Sequence, residues 1–263
     1  MASLNGHKAR KRFGQNFLQD TGMIRKIVRA IAPAGKDHLV EIGPGMGAIT
    51  ELLLEENGQL DVIELDRDLV PGLRVKFFNY PEFTLHEADA LKFDFAKLRK
   101  TDEKLRIVGN LPYNISTPLI FHLLSFQGLI HDMHFMLQKE VVERLAAKPG
   151  TGEWGRLSVM AQYYCDIENL FLVPPECFKP QPKVESAIVR MTPKQQPTHQ
   201  ALDEKILGET LRLAFAQRRK TLRNNMKGYV TAEQLEALDL DPQRRPETLN
   251  LEEFVKLANF RAA

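Results

Sequence analysis

The sequence predicts an α/β protein with a second, smaller helical domain, and three observations lead to this. Between residue 39 and about residue 192, short apolar runs rich in β-branched residues alternate with helical patterns. Beyond about residue 200 the pattern is helical only. The chain has 263 residues, which is enough for one large and one small domain. Together they predict a Rossmann-like, seven-stranded, mainly parallel sheet with helices on both faces, plus a small C-terminal all-α domain.

Seven runs are predicted to be strands, because each is short, apolar and bounded by turn residues. The first five are LVEIG (39–43), LDVIELD (60–66), FTLHEAD (83–89), LRIVGN (105–110) and MHFMLQ (133–138). The last two, IENLFLV (167–173) and VESAIVRM (184–191), have no long helix between them and fit an antiparallel hairpin at the sheet edge. Residues 114–116 are predicted to start the helix after the fourth run, with Ser116 as its cap.

A polar stretch with two prolines indicates the domain boundary. We predict a first domain at residues 1–192, a linker at 193–201 and a helical domain at 202–263. In that last domain one apolar stripe predicts a single long helix: Leu211, Phe215, Leu222 and Met226. Two capping pairs predict two further short helices: Thr231 with Gln234, and Asn250 with Glu253.

Composition and charge narrow the class of protein. Hydrophobic residues make up 43% of the chain, and no apolar run approaches the roughly 18 residues that span a bilayer. We expect a cytoplasmic monomer with no membrane partner, since a secretory signal is also missing. Cys165 and Cys177 lack metal-ligand spacing, so we expect reduced thiols and no metal. Residues 1–30 hold seven Lys/Arg against one acid, and residues 211–228 hold six against none, which favours a polyanionic partner.

Polar and glycine residues follow four of the predicted strands. Gly43, within EIGPGMGAIT, allows a tight strand-to-helix turn, although the spacing is not that of a dinucleotide fingerprint or a P-loop. Glu64 ends the second strand, Asp89 follows the third and Asn110 ends the fourth. Each alone fits a plain turn, a surface acid or a cap. Because open α/β sheets bind ligands at the carboxyl ends of their strands, the set indicates a nucleoside-shaped pocket.

These residues resemble those of a class I S-adenosylmethionine-dependent methyltransferase, and NLPY (110–113) is similar to the [DNS]-P-P-Y motif of enzymes that methylate exocyclic amines. Stretches along almost the whole chain resemble one family more narrowly, the KsgA-type small-subunit ribosomal RNA adenine dimethyltransferases. They are KRFGQNFL (11–18), EIGPGMGAIT (41–50), VIELDRDL (62–69), VGNLPYNISTPLIFHLL (108–124), MLQKEVVERL (136–145), GRLSVMAQYY (155–164), FKPQPKVESAIVR (178–190) and QRRKTLRN (217–224).

The resemblance implies an activity. Methyl groups would pass from S-adenosyl-L-methionine to the N6 amines of two adjacent adenosines, in the 3′-terminal hairpin loop of small-subunit (16S) rRNA. The products would be N6,N6-dimethyladenosine and S-adenosylhomocysteine, and the partner an immature small ribosomal subunit late in assembly. The cofactor contacts that it implies are Asn16, Leu18, Gly43, Gly45, Glu64, Asp89 and Asn110.

The resemblance also implies how the acceptor adenine is held. Asn110 and the carbonyl of Leu111 would accept the two amine N–H groups, and Pro112 would turn that carbonyl outward. Tyr113 and Phe178 would contact the two faces of a base rotated into the pocket. We expect the basic regions to bind RNA through Arg10, Lys11, Arg12, Arg218, Arg219, Lys220 and Arg223.

Two other functions fit parts of the sequence. A nicotinamide-dependent oxidoreductase would use a similar sheet, but the glycine spacing and NLPY weigh against it. A non-catalytic assembly factor would inspect immature subunits through its basic faces, and this role is compatible with catalysis.

Overall fold

The computed structural model describes residues 16–35, 37–99 and 101–263. Its strands are β1 (Phe17–Leu18), β2 (His38–Ile42), β3 (Leu60–Glu64), β4 (Phe83–Glu87), β5 (Leu105–Asn110), β6 (Ile130–Gln138), β7 (Cys165–Val173), β8 (Phe178–Lys179) and β9 (Ser186–Pro193). Its α-helices are α1 (Thr21–Ile31), α2 (Ala48–Asn57), α3 (Val70–Lys76), α4 (Tyr113–Leu124), α5 (Lys139–Leu145), α6 (Arg156–Tyr164), α7 (Glu204–Ala214), α8 (Leu222–Asn225), α9 (Ala232–Ala237) and α10 (Leu251–Ala262).

The main sheet has seven strands in the order β4-β3-β2-β5-β6-β9-β7. Its neighbours from β4 to β6 pair in parallel, whereas β9 pairs antiparallel with β6. The seven predicted runs supply these seven strands, and the last two are neighbours at one edge, so the predicted fold class is confirmed. A separate ladder, in which β1 pairs antiparallel with β8, was not predicted.

Helix α1 shows how the sequence builds the core of this sheet. The Asp20 carboxylate accepts a 2.6 Å hydrogen bond from the Met23 amide and caps the helix. Its buried residues recur with helical spacing: Ile24, Ile27, Val28 and Ile31. They share one apolar cluster with α2, α3 and the facing strand residues Val62, Val108 and Met136.

The chain divides into two compact units. The first contains the described residues up to Val142 together with Glu168–Pro193, and the second contains Glu143–Ile167 and Lys194–Ala263. The second unit thus includes a segment that the sequence analysis placed in the first domain. The reason is burial, because Trp154 donates a 2.8 Å hydrogen bond to the Leu249 carbonyl and packs with the C-terminal helices.

Both predicted capping pairs form in the second unit. Thr231 and Gln234 exchange hydrogen bonds at the start of α9, and Asn250 and Glu253 do so at the start of α10. Each pair satisfies amide groups that the first turn of a helix leaves open.

Two helix predictions were wrong. The long helix expected from Leu211 to Met226 is interrupted, because α7 ends at Ala214 and a turn separates it from the short α8. The Asn225 side chain holds this turn, bonding the Gln217 amide and carbonyl at 3.1 Å and the Lys220 carbonyl at 3.3 Å. Ser116 is no cap, because α4 starts directly after Pro112 and buries Ser116 inside the helix.

Candidate active site

The first unit contains a cavity of about 200 Å³ at the carboxyl ends of its central strands. Gly43 follows β2, Glu64 ends β3 and Asn110 ends β5, and all three line this cavity. Asn16, Gly45, Asp89, Leu111, Pro112 and Phe178 line it as well. The structure therefore brings together residues that are spread over most of the first unit's sequence.

A glycine turn forms one wall of the cavity. Gly43 has a φ of +68° and Gly47 a φ of +76°, a left-handed conformation that side chains disfavour. A Cβ atom on Gly47 would lie 2.7 Å from the Phe77 ring. The turn ends where α2 begins, and its residues Gly43 and Gly45 line the cavity.

Glu64 is the buried acid of the cavity, with 6% of its surface exposed. Its Oε1 accepts a 2.7 Å hydrogen bond from the Asp66 amide. Burial raises the pKa of Glu64, and hydrogen bonds from backbone amides oppose the rise. Such a carboxylate can accept hydrogen bonds from ribose hydroxyls. The half-buried Asp89 lines the same cavity and accepts a 3.0 Å hydrogen bond from the Leu91 amide.

Asn110 is oriented by the segment before β1. Its Nδ2 donates to the Asn16 carbonyl oxygen at 3.4 Å, which leaves the Oδ1 atom as an acceptor for a ligand. The next amide, that of Leu111, donates to the Met136 carbonyl at 3.1 Å and ties the strand end to β6. Pro112 then adopts φ −59° and ψ 139° before α4. These contacts fix the backbone conformation of residues 110–112 where the chain leaves β5 beside the cavity.

A second buried acid, Glu41, lies beneath the glycine turn. Thr50, itself fully buried on α2, donates a 2.6 Å hydrogen bond to the Glu41 Oε2. Burial raises the pKa of Glu41 to about 7, and the Glu64 carboxylate contributes to the rise. Glu41 therefore links β2 to α2 on either side of the turn.

Some residues predicted to belong to the site do not line the cavity, and others lie outside the described part of the chain. Leu18 is buried in the core and pairs with Phe178 across the β1–β8 ladder. Arg10, Lys11 and Arg12 lie outside the described residues, as does the side chain of Tyr113.

The predicted basic residues of the C-terminal region lie in the second unit. Arg218, Arg219 and Lys220 are exposed in the turn before α8, and Arg223 is exposed on α8. Arg218 donates a hydrogen bond to the Gly152 carbonyl.

The cavity also has a wall that the residue-by-residue prediction missed. Its lining includes Met136 and Gln138 from β6, Pro182 and Val184 from the segment after β8, and Ser186 from β9. Gln138 carried a usable signal, since it ends the strand next to the one that ends at Asn110. Met136, Val184 and Ser186 lie within predicted strands, but nothing in their residue types indicated a ligand, and Pro182 lies between the last two predicted strands, where periodicity gives no position.

An open, mainly parallel sheet that carries a glycine turn, a buried acid and Asn-Leu-Pro at successive strand ends defines a class I methyltransferase. Comparison with known proteins then identifies the family. Residues 6–263 match the family model described as "Ribosomal RNA adenine dimethylase". The chain belongs to the ribosomal RNA adenine dimethylase family.

Similar proteins carry matching names. The chain is 64% identical over 257 residues to "Ribosomal RNA small subunit methyltransferase A" of Chromohalobacter salexigens, covering 96% of this chain and 91% of that protein. It is 61% identical over 259 residues to the protein of the same name from Pseudomonas aeruginosa, covering 98% and 97%.

Solved structures share the fold. A dimethyladenosine transferase from Plasmodium falciparum is 28% identical with a TM-score of 0.79, covering 92% of this chain and 95% of that one. The 23S rRNA methyltransferase ErmE, 23% identical with a TM-score of 0.74 over 94% and 100% of the two chains, has the same fold.

Family membership confirms the predicted enzyme class, an S-adenosylmethionine-dependent rRNA adenine dimethyltransferase, and sets aside the nicotinamide-dependent alternative. The cavity fits this cofactor, since a glycine turn and a buried carboxylate suit a nucleoside. Within the described ranges, no helix has both the length and the apolarity to cross a membrane. The same residues contain no group of three or more His, Cys, Asp or Glu side chains arranged to hold a metal ion.

Proposed function

We propose that the protein dimethylates the N6 amines of two adjacent adenosines in the 3′-terminal hairpin loop of small-subunit rRNA, as a late step of subunit assembly. The observation that carries this proposal is the single cavity that joins Gly43 and Glu64 to Asn110 and Pro112. The site for the cofactor's nucleoside and the site for the acceptor amine therefore lie in the same cavity. The names and identities of the two bacterial relatives support the small subunit as the substrate.

We assign the cofactor to the glycine-turn side of the cavity. Gly43 and Gly45 would approach it through their backbones, and Glu64 would accept hydrogen bonds from its ribose. Asp89 would accept from the adenine amine, while Asn16 closes the cavity from the chain segment before β1. When bound, S-adenosylmethionine supplies an electrophilic methyl group. Leu18 would act only by packing beneath this segment, since it is buried in the core.

The acceptor amine needs orientation because its lone pair is delocalised into the adenine ring. The Asn110 Oδ1 and the Leu111 carbonyl would accept its two N–H groups and turn the lone pair toward the methyl group. Phe178 would contact one face of the base and Tyr113 the other. The methylated ammonium is acidic enough to lose its proton to water, so positioning and desolvation contribute most of the rate.

The two units are proposed to divide the work. The first unit would hold the cofactor and the acceptor base. The second unit would bind rRNA through its exposed cations Arg218, Arg219, Lys220 and Arg223. We propose that Arg10, Lys11 and Arg12 add to this binding, and that a cytoplasmic monomer acts on an immature subunit.

A labelling experiment tests the proposal. The protein is incubated with tritiated S-adenosylmethionine and undermethylated small subunits, and the label is mapped on the rRNA. We expect label on N6 of adenine in the 3′-terminal hairpin loop. Label elsewhere, or none, contradicts the proposal.

A role in inspecting immature subunits is compatible with the exposed cations and can be separated from catalysis. The Asn110→Ala variant is measured for subunit binding as well as methyl transfer. Retained binding without transfer indicates an independent assembly role, and loss of both ties recognition to the active site.

A further inference from the structure

Helix α1 has a cationic outer face. The residues of this helix that face outward are Thr21, Gly22, Arg25, Lys26 and Arg29, and no large apolar side chain is among them. Its inner face is buried in the core of the first unit. Three positive charges therefore lie along one exposed surface without the apolar anchors that protein or membrane contacts use.

These cations are not committed to neighbouring acids. Arg25, Lys26 and Arg29 form no ion pair within residues 16–35, 37–99 and 101–263, whereas Arg106 and Arg190 of the same unit are paired. The acid closest in sequence, Asp20, already caps the helix. The Lys26 ammonium lies 4.1 Å from the centroid of the Phe171 ring, so it contacts an aromatic face.

The start of α1 is joined to the rim of the active-site cavity. The Gln19 amide donates a 2.8 Å hydrogen bond to the Cys177 carbonyl, and Phe17 pairs with Lys179 in the β1–β8 ladder. Phe178 lines the cavity, whereas its neighbour Lys179 is exposed.

The same alternation recurs after β8. Pro182 and Val184 line the cavity, and the exposed Lys183 stands between them. Neither Lys179 nor Lys183 has an ion pair among the described residues. Two exposed acids also lie in these segments, Asp20 and Glu176, but Asp20 caps α1, and the neighbouring Glu185 is already paired with Lys139 at 2.8 Å.

We infer that the outer face of α1 and the two rim lysines form one phosphate-binding track for the rRNA strand that flanks the target adenosine. The inference rests on the proposed function, because it assigns the path of that substrate. Arg25 and Arg29 are four residues apart, which is about 6 Å along a helix, so they contact different phosphates. The track, defined by Arg25, Lys26, Arg29, Lys179 and Lys183, is separate from the basic residues of the second unit.

A matched pair of triple variants tests this. One variant carries Arg25→Gln, Lys26→Gln and Arg29→Gln. The control carries Arg74→Gln, Lys97→Gln and Lys104→Gln, three exposed cations of the same unit that also lack an ion pair in the described part of the chain. Both variants lose the same charge. Binding to undermethylated small subunits is measured over a range of salt concentrations.

The logarithm of the association constant for subunits falls linearly with the logarithm of the salt concentration. We expect this line to be less steep for the α1 variant by about 2, since each phosphate contact contributes roughly 0.7 to 0.9. Its KM for subunits should rise on the order of 100-fold at ~0.1 M salt, with kcat and cofactor affinity unchanged. The control should keep the wild-type slope. A separate double variant, Lys179→Gln with Lys183→Gln, should make the same line less steep by about 1 to 2.

Three results would overturn the inference: an unchanged slope for the α1 variant, an equal loss in the control, or cross-links from a photoreactive residue at position 29 that reach only ribosomal protein. Methyl transfer by the wild-type protein is measured in parallel. If it fails while the slopes differ as expected, the proposed reaction is wrong and the track stands. If it succeeds while the slopes do not differ, only the track is wrong.

Discussion

Replacing Glu41 by glutamine is predicted to stabilise the protein at neutral and alkaline pH. Glu41 is 3% exposed and accepts the Thr50 hydroxyl at 2.6 Å. Burial raises its pKa from the ordinary value of 4.5 to about 7, with Glu64 adding to the rise and Thr50 and Lys76 opposing it. Ionisation of this carboxyl group is therefore less favourable in the folded protein than in the unfolded chain.

The sign and the size of the effect follow from that pKa. The folded protein keeps this proton to higher pH, so its stability falls as the pH rises from 4.5 to about 7. At about 1.4 kcal/mol for each pH unit, the ionised carboxylate costs about 3 kcal/mol above pH 7. Glutamine removes this cost, and its side-chain oxygen still accepts the Thr50 hydroxyl.

Urea unfolding without cofactor, at about pH 4 and about pH 8, measures the effect. The difference in free energy of unfolding between Glu41→Gln and the wild type should grow by about 3 kcal/mol between these conditions. Glu55→Gln, an exposed glutamate on α2, is the control and should show no such growth. A difference that does not change with pH would refute the reasoning.

Three further substitutions probe the site and its support. Asn110→Ala should slow single-turnover methyl transfer about 100-fold or more, since an oriented acceptor is lost, and an unchanged rate contradicts its role. Burial would raise the pKa of Asp61, but hydrogen bonds from His38 and His86 lower it to about 2. The Asp61→Asn variant should therefore have an unfolding free energy about 2 kcal/mol lower than that of the wild type at pH 7, and this loss should shrink as the pH falls below 3.8. Equal stability of the two proteins at pH 7 would count against this role of Asp61. Gly47→Ala should cost about 2 kcal/mol or more and lower the Tm, because the left-handed φ and the Phe77 ring both disfavour a Cβ; an unaltered Tm argues against this.

The centre of the main sheet was predictable because its inner strands are buried on both faces. Runs such as those of β2 and β3 are fully buried, and parallel strands of this kind appear in a sequence as continuous apolar segments. The carboxyl ends of these strands also fixed the positions of Glu64 and Asn110, so most of the candidate site followed from sheet topology. Leu18 shows the limit, since a two-residue strand gives no periodic signal.

The C-terminal region was less predictable because side chains there override helical spacing. Apolar residues at Leu211, Phe215 and Leu222 keep a helical period, yet the Asn225 carboxamide holds the intervening backbone in a turn. Asparagine competes for backbone groups in this way, and a stripe of apolar residues does not reveal it. Assignment of residues 143–167 to the second unit likewise depends on the long-range burial of Trp154.

Nucleoside analysis of the methylated rRNA tests the central claim most directly. Small subunits that lack the modification are incubated with the protein and S-adenosylmethionine, and the hairpin-loop fragment is digested and examined by mass spectrometry. The account predicts N6,N6-dimethyladenosine at two adjacent positions with the wild-type protein and its loss with Asn110→Ala. Monomethyladenosine alone, methylation at another base, or full activity of Asn110→Ala would contradict it.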